Sequence, residues 1–313
     1  MDTLTEPAIS DTGLTFVPSW IDAFREYLQA DGKSARTIEA YLQDLRMFAA
    51  WFEQQNGQPF SPELITGVDL RSYRQHALDG KMAPATFNRR RATLARLIGW
   101  AMQTGYLTYD PMSSGLARLA EQEPPTRWLT KTEEHALLRA VERRINGATT
   151  DAWRTQAVRD QAIVFLMLFC GLREEEVSLL DVDDVQVSDR KGKVVIRQGK
   201  GAKRRQVPMN NECRRAVRLW IEHAAPSGAL FENKRGDRLG VSGIQDRIEA
   251  LRQAAGLDEL TPHMLRHTFG KRLADANVHL HIIARMMGHN RMETTARYTK
   301  PGWEDLEEAV AKH

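Results

Sequence analysis

The stretch Glu121-Gln122-Glu123-Pro124-Pro125 has no hydrophobic periodicity and carries two adjacent helix breakers, so no single helix or strand runs across it. It divides a chain of 313 residues, enough for two ordinary domains, into blocks that must each bury a core of their own. The hydrophobic content of 42% supplies the apolar surface for both. We read 119–127 as the linker, 15–118 as a first domain and 128–313 as a second.

The first block is helical by period. Trp20, Ile21, Phe24, Tyr27 and Leu28 recur at helical spacing, as do Ile38, Tyr41, Leu42, Leu45, Phe48 and Phe52. Asp69 is placed as the cap of a third helix. From Thr86 to Trp100 a fourth helix turns Leu94, Leu97, Ile98 and Ala101 inward and its arginines outward, which gives a compact bundle. In the second block, Thr130 and Glu133 have capping-box spacing ahead of Leu137, Leu138 and Val141. An apolar helix through Ile163 to Phe169 stops at Gly171. Lys193 to Arg197 and Arg205 to Pro208, joined by Gly199-Lys200-Gly201, read as a β-hairpin, and helices return from Ser242. There is no internal repeat and no low-complexity segment.

No run approaches the roughly 20 apolar residues that span a bilayer, and the N-terminal stretch lacks the basic start and apolar core of a signal peptide, so a cytoplasmic location is expected. Cys170 and Cys213 make neither a disulfide framework nor a zinc set and are expected to be packing residues. A net charge of +3 says little about partners, but its distribution says more. No acid occurs between Asp79 and Asp110, where Lys81, Arg89, Arg90, Arg91 and Arg96 fall. A second cluster holds Lys191, Lys193, Arg197, Lys200, Lys203, Arg204 and Arg205. Two such clusters suggest two DNA-facing surfaces; ordinary solvated faces are the alternative.

Four short segments of the second block hold polar residues that packing does not require. Gly171-Leu172-Arg173-Glu174-Glu175-Glu176 places an arginine directly after the apolar helix, where it is costly unless paired, and Glu176 is the partner within reach. Pro262-His263-Met264-Leu265-Arg266-His267 sets His263 and Arg266 on one helical face. The alternative there, a zinc site from His263 and His267, lacks the glutamate of a metalloprotease motif because Met264 stands in its place. Met286-Met287-Gly288-His289 puts a histidine at a helix terminus, and Tyr298 follows nine residues later among small and basic neighbours.

In order and spacing these segments resemble the signature of the tyrosine recombinase, or phage integrase, family: an arginine, a hairpin lysine, His-x-x-Arg, Gly-His and a tyrosine. Ser34-Ala35-Arg36-Thr37 leading to Tyr41 and Arg46 looks like the start of that family's helical core-binding domain. The resemblance implies a mainly α fold, with an N-terminal SAM-like bundle that binds DNA and a C-terminal α+β catalytic domain carrying a small β-hairpin. It further implies site-specific cleavage and rejoining of DNA through a 3′-phosphotyrosyl intermediate on Tyr298. Arg173 and Arg266 then clamp the phosphate, whose geometry matches forked guanidiniums. By the same resemblance His289 donates a further hydrogen bond to the phosphate, Lys200 protonates the departing 5′ oxygen, His263 takes the phenol proton and Glu176 supports the site. Lys203 lies close to Lys200 on the same turn; the family pattern favours the lysine between the glycines. Lys81, Arg89, Arg90, Arg91, Arg96, Lys203, Arg204 and Arg205 are the expected DNA contacts.

The resemblance implies neither metal nor other cofactor, since the covalent intermediate conserves the energy of the broken bond. It implies double-stranded DNA as partner and a homotetramer on two sites, with a related recombinase as a further candidate partner and no membrane association. Trp303, Leu306 and Val310 recur at i, i+3 and i+7, and such a short amphipathic helix, 302–311, needs a groove to dock in; a neighbouring protomer is the expected host and the same chain the alternative. The size and two-domain layout look like the Xer recombinases, whereas the segments around His289 and Tyr298 look closer to mobile-element integrases. Type IB topoisomerase chemistry and a catalytically inert DNA-binding regulator are the competing readings.

Overall fold

Helix ends in the first unit are set by side chains that satisfy backbone groups a helix leaves open. In the computed structural model, which describes residues 19–114, 116–120, 126–197, 204–289, 292–299 and 310, α1 spans Ser19–Ala30 and α2 Ala35–Asn56. The Ser34 hydroxyl accepts from the Thr37 amide at 3.2 Å to start α2, and Gly57 ends it at φ 68°. α3 runs Gly67–Asp79, and here the sequence reading is corrected: Thr66 is the cap, while Asp69 returns the bond to the Thr66 amide from the third helical position. α4 begins on Pro84 and reaches Gln103.

The chain separates into two compact units, Met1–Pro124 and Pro125–His313. The core of the first is aromatic: Phe24, Phe48, Phe52, Tyr73 and Phe87 are buried. Phe48 meets Phe60 and Tyr73 edge-on, at centroid distances of 5.3 and 4.9 Å. The arginine run on α4 does not form one outward face, because consecutive helical residues point about 100° apart. Arg89 Nη1 donates to Asp44 of α2 at 2.6 Å, Arg90 lies 3.9 Å from the same buried carboxylate, and Thr93 donates to it at 3.1 Å. Arg91 donates to the Leu116 carbonyl, and Arg96 pairs with Asp31 while resting over the Tyr27 ring at 5.0 Å. These cations hold the bundle together. Lys81 is exposed.

In the second unit α5, Lys131–Asn146, starts at the Thr130–Glu133 capping box. The apolar α6, Asp151–Cys170, is buried nearly all round, and α5 packs on it together with two later helices, α8 (Asn211–Ala224) and α10 (Pro262–Asp275). Short α7, Glu174–Ser178, follows. Then come β1 Val185–Val187, β2 Gly192–Ile196 and β3 Arg205–Pro208, an antiparallel sheet in the order β1-β2-β3 with Val194 paired to Val185 and to Val207. The hairpin strands thus sit within a residue of their expected limits; its tip, with Lys200 and Lys203, lies outside the described residues.

Helices α8 Asn211–Ala224, α9 Val241–Ala255, α10 Pro262–Asp275, α11 Leu280–Met287 and α12 Glu293–Ala296 complete the unit. Cys170 and Cys213 are buried free thiols 3.7 Å apart between α6 and α8. No described helix is long and apolar enough to cross a membrane.

Candidate active site

Gly171 carries the backbone out of α6 at φ 65°, a conformation that favours glycine, and its α-carbon lies against the Phe269 ring of α10 where a side chain has no room. The turn delivers Arg173 to the start of α7, within reach of Glu176. The Arg173 amide and Nη1 both donate to Glu176, each at 2.9 Å. Glu176 is only 5% exposed and also receives both Nη groups of Arg205, at 2.8 and 2.7 Å. Arg266 of α10 comes within 3.9 Å of it. Burial raises the Glu176 carboxyl, but hydrogen bonds and charge from Arg205, with help from the Arg173 amide and Arg266, outweigh it and hold the group below its ordinary range.

The same three arginines grip the carbonyl end of α11. Arg205 Nε donates to Met286 at 2.9 Å, Arg266 Nη2 to Met287 and Arg173 Nη2 to Gly288 at 3.3 Å. Cations at a helix C-terminus meet both unpaired carbonyls and the negative end of the dipole. Gly288, at φ 65°, closes α11, and the His289 amide returns to the Ala284 carbonyl at 2.9 Å. Arg266 is 4% exposed and also donates to the Gly171 carbonyl. Burial and the charge of Arg173 push its guanidinium down to about 9, so it stays cationic at neutral pH. One carboxylate among three guanidiniums leaves two positive charges in excess.

Tyr298 stands beside this cluster in a 3-10 turn, Arg297–Thr299, and is 1% exposed. Its ring stacks on His289 at 6.2 Å and lies against Gly270 of α10, where a β-carbon would sit 2.7 Å from the ring. Burial raises its hydroxyl above the ordinary phenol range, against the pull of Arg266, Arg297 and Arg173. His289 is fixed through Nδ1 to Thr295 at 2.9 Å, and burial followed by the charges of Arg266 and Arg173 lowers it to about 3. It is therefore a neutral imidazole, and among the described residues Nε2 has no hydrogen-bond partner.

The structure brings Arg173, Glu176, Arg266, His289 and Tyr298 together. It places His263 one turn before His267 on α10, exposed, with ring centres 6.3 Å apart. The imidazole that shares a hydrogen bond with the Tyr298 hydroxyl is His267, through Nδ1 at 2.9 Å. Burial, and then Arg297, lower His267 to about 4, so it is neutral too. The sequence reading met His267 only as a zinc alternative; its i, i+4 relation to His263 signalled a shared face. Among the described residues no three metal-ligating side chains converge. Arg205, expected to face DNA, is instead turned inward, and the signal was strand alternation: Arg205 shares the buried side of β3 with Val207, while Arg204 and Gln206 are exposed.

The phage integrase family model matches residues 127–303, and the N-terminal SAM-like domain of phage integrases matches 21–105. Tyrosine recombinase XerC of Corynebacterium glutamicum is 33% identical over 93% of this chain and 90% of that protein. The XerC of Chromohalobacter salexigens is 31% identical over 88% and 89%. Among solved structures, XerH recombinase bound to a palindromic difH substrate superposes with a TM-score of 0.70 at 20% identity, covering 93% of this chain and 94% of that one. The Tn1549 transposon integrase with circular-intermediate DNA gives 0.69 at 18% identity, covering 94% and 99%. At those identities the structures speak for the fold, and it is mainly helical with a SAM-like first unit and a small antiparallel sheet in the second. Sequence likeness over nearly the whole chain speaks for descent: the chain belongs to the phage integrase family and is a tyrosine-type site-specific DNA recombinase.

Proposed function

We propose that the protein cuts and rejoins double-stranded DNA by attack of the Tyr298 hydroxyl on a backbone phosphorus held by Arg173 and Arg266. The observation that carries this reading is the excess of two positive charges, ordered by one buried carboxylate, directly beside a buried phenol with neutral imidazoles on either side. Such a place attracts an anion and stabilises charge gathering on its oxygens. The phenol oxygen forms a bond to phosphorus, the bond to the 5′ oxygen breaks, and the strand stays attached through its 3′ phosphate. Arg173 and Arg266 hold the nonbridging oxygens, His289 Nε2 donates one more hydrogen bond, and Lys200 of the hairpin supplies the proton to the leaving 5′ oxygen. The phenol proton belongs to the imidazoles of α10. His267 holds the hydroxyl in the buried resting position, and His263, on the exposed side, meets it when the tyrosine turns outward to the phosphate. Rejoining reverses these steps with a partner strand as nucleophile.

The full reaction is read as recombination of two sites by four copies of the chain, with 302–311 exchanged between neighbours. Lys81, Arg204 and Lys203 are the DNA contacts retained from the sequence reading; Arg89, Arg90, Arg91 and Arg96 act first on their own bundle. The relatives' shared name favours an Xer-type role.

The test uses a nicked duplex selected from random sequences by binding to the Tyr298→Phe protein. Incubated in chelator, the wild-type protein is expected to give a covalent adduct and, with two sites, recombinants. On a supercoiled plasmid carrying the selected site, relaxation without recombinants supports the topoisomerase reading, and retardation without adduct the regulator reading. Replacing Arg173 or Arg266 is expected to slow adduct formation by roughly a hundred- to a thousandfold while binding persists; an unchanged rate refutes the clamp.

A further inference from the structure

Every side-chain nitrogen of Arg205 donates inside the protein. Nε goes to the Met286 carbonyl at 2.9 Å, Nη1 to Glu176 Oε1 at 2.8 Å and Nη2 to Oε2 at 2.7 Å, and the side chain is 9% exposed. Its guanidinium also lies against the Gly288 α-carbon, where a β-carbon would approach Nη1 to 2.8 Å. A bidentate fork on a carboxylate fixes that group's plane as well as its charge. Glu176 has only two oxygens, and Arg173 uses both as well, from its amide and from Nη1. The orientation of the carboxylate that Arg205 sets is therefore the one Arg173 reads.

We propose that Arg205 is a positioning residue for strand cleavage: acting from β3 through Glu176 and the end of α11, it aims Arg173. This rests on the clamp reading above, and each of the three nitrogens of Arg205 already donates within the protein. The groups facing Glu176 are Arg173 from the α7 turn, Arg205 from β3 and Arg266 from α10, while Asp181, Asp184, Arg197 and Arg238 share with it the lining of a cavity of about 260 Å³. Of these, Arg205 is the main opponent of the burial that drives the carboxyl toward its neutral form. Without it, Glu176 is protonated in a higher pH range, and a protonated Glu176 no longer anchors Arg173 as an anion.

The experiment measures adduct formation on the selected nicked duplex from pH 5.5 to 9 for wild type, Arg205→Met, Arg205→Lys and Arg205→Met/Glu176→Gln. Rates are taken as ratios to wild type so that titration of the phenol cancels, and DNA binding is followed in parallel. Arg205→Met is expected to bind DNA within a few-fold of wild type, to cleave between about tenfold and a hundredfold more slowly near pH 7, and to regain rate as pH rises. The double variant is expected to be slow at every pH, because its amide does not titrate. Arg205→Lys keeps the charge but loses the fork, so it is expected to be several-fold slow with no added pH dependence, which also covers the case in which the methionine variant fails to fold. A pH-independent ratio for Arg205→Met, or a wild-type rate for Arg205→Lys, overturns the proposal. A wild-type adduct lost in Tyr298→Phe shows separately that the clamp reading stands; absence of any wild-type adduct defeats that reading instead.

Discussion

At Gly270 the absence of a side chain makes room for the Tyr298 ring, since a β-carbon there falls 2.7 Å from two of its atoms. Alanine is the better helix former by about 1 kcal/mol, yet forced overpacking costs roughly 1–3 kcal/mol, so the clash wins. Gly270→Ala is expected to lower Tm and slow adduct formation; a raised Tm with unchanged cleavage contradicts the packing described here. Nothing about this is legible in Phe269-Gly270-Lys271 as a sequence. The order Arg173, His263, Arg266, His289, Tyr298 is legible because spacing survives in one dimension. Which imidazole touches the phenol is not, because His263 and His267 share a helical face and only the fold decides which of them Tyr298 meets. The inward turn of Arg205 was within reach of strand alternation but was hidden by two basic neighbours, Lys203 and Arg204.

At the scale of elements, α10 and the end of α11 hold two neutral histidines next to excess positive charge. Both have folded values below their ordinary one, about 4 for His267 and about 3 for His289. The unfolded chain therefore binds more protons than the folded one below about pH 6.5, and stability must fall as pH drops through that point. Glu176, whose folded value is depressed, adds to the loss only in the more acid carboxylate range. Between about pH 6.5 and 5 the histidines dominate, with a loss on the order of 1 kcal/mol each after allowing for partial exposure. Urea unfolding at these pH values is expected to show that slope, and His267→Asn/His289→Asn to flatten it; an equal slope in the variant contradicts the assignment. Helices with caps and apolar stripes were readable from sequence, as was the hairpin. β1 was not, because the alternation of Val185-Gln186-Val187 is only three residues long, too short to mark a strand, and the segment owes its conformation to pairing with β2. The arginine run of α4 reads as one basic face by composition, and the sequence does not show that Arg89 and Arg90 approach Asp44 while Arg91 turns to the Leu116 carbonyl.

On the scale of the whole molecule, a helical unit and a larger mixed unit correspond to the two matched models, and the sequence gap at the paired prolines coincides with no periodic element. The reaction class rests on the likeness to phage integrases and to XerC over nearly the whole chain, and the second unit gathers four other dispersed segments around the Tyr298 phenol. The proposed assembly of four copies and its exchanged segment 302–311, of which only Val310 is among the described residues, are tested separately from the chemistry on one strand. The most direct measurement is therefore made on one protomer and one strand. The adduct formed in chelator on the selected nicked duplex is digested with protease and nuclease, and the nucleotide-bearing peptide is sequenced by mass spectrometry. We predict a single phosphodiester between the Tyr298 oxygen and a 3′ phosphate, with a free 5′ hydroxyl on the released fragment. A nucleotide on any other residue, or linkage through a 5′ phosphate, contradicts the account.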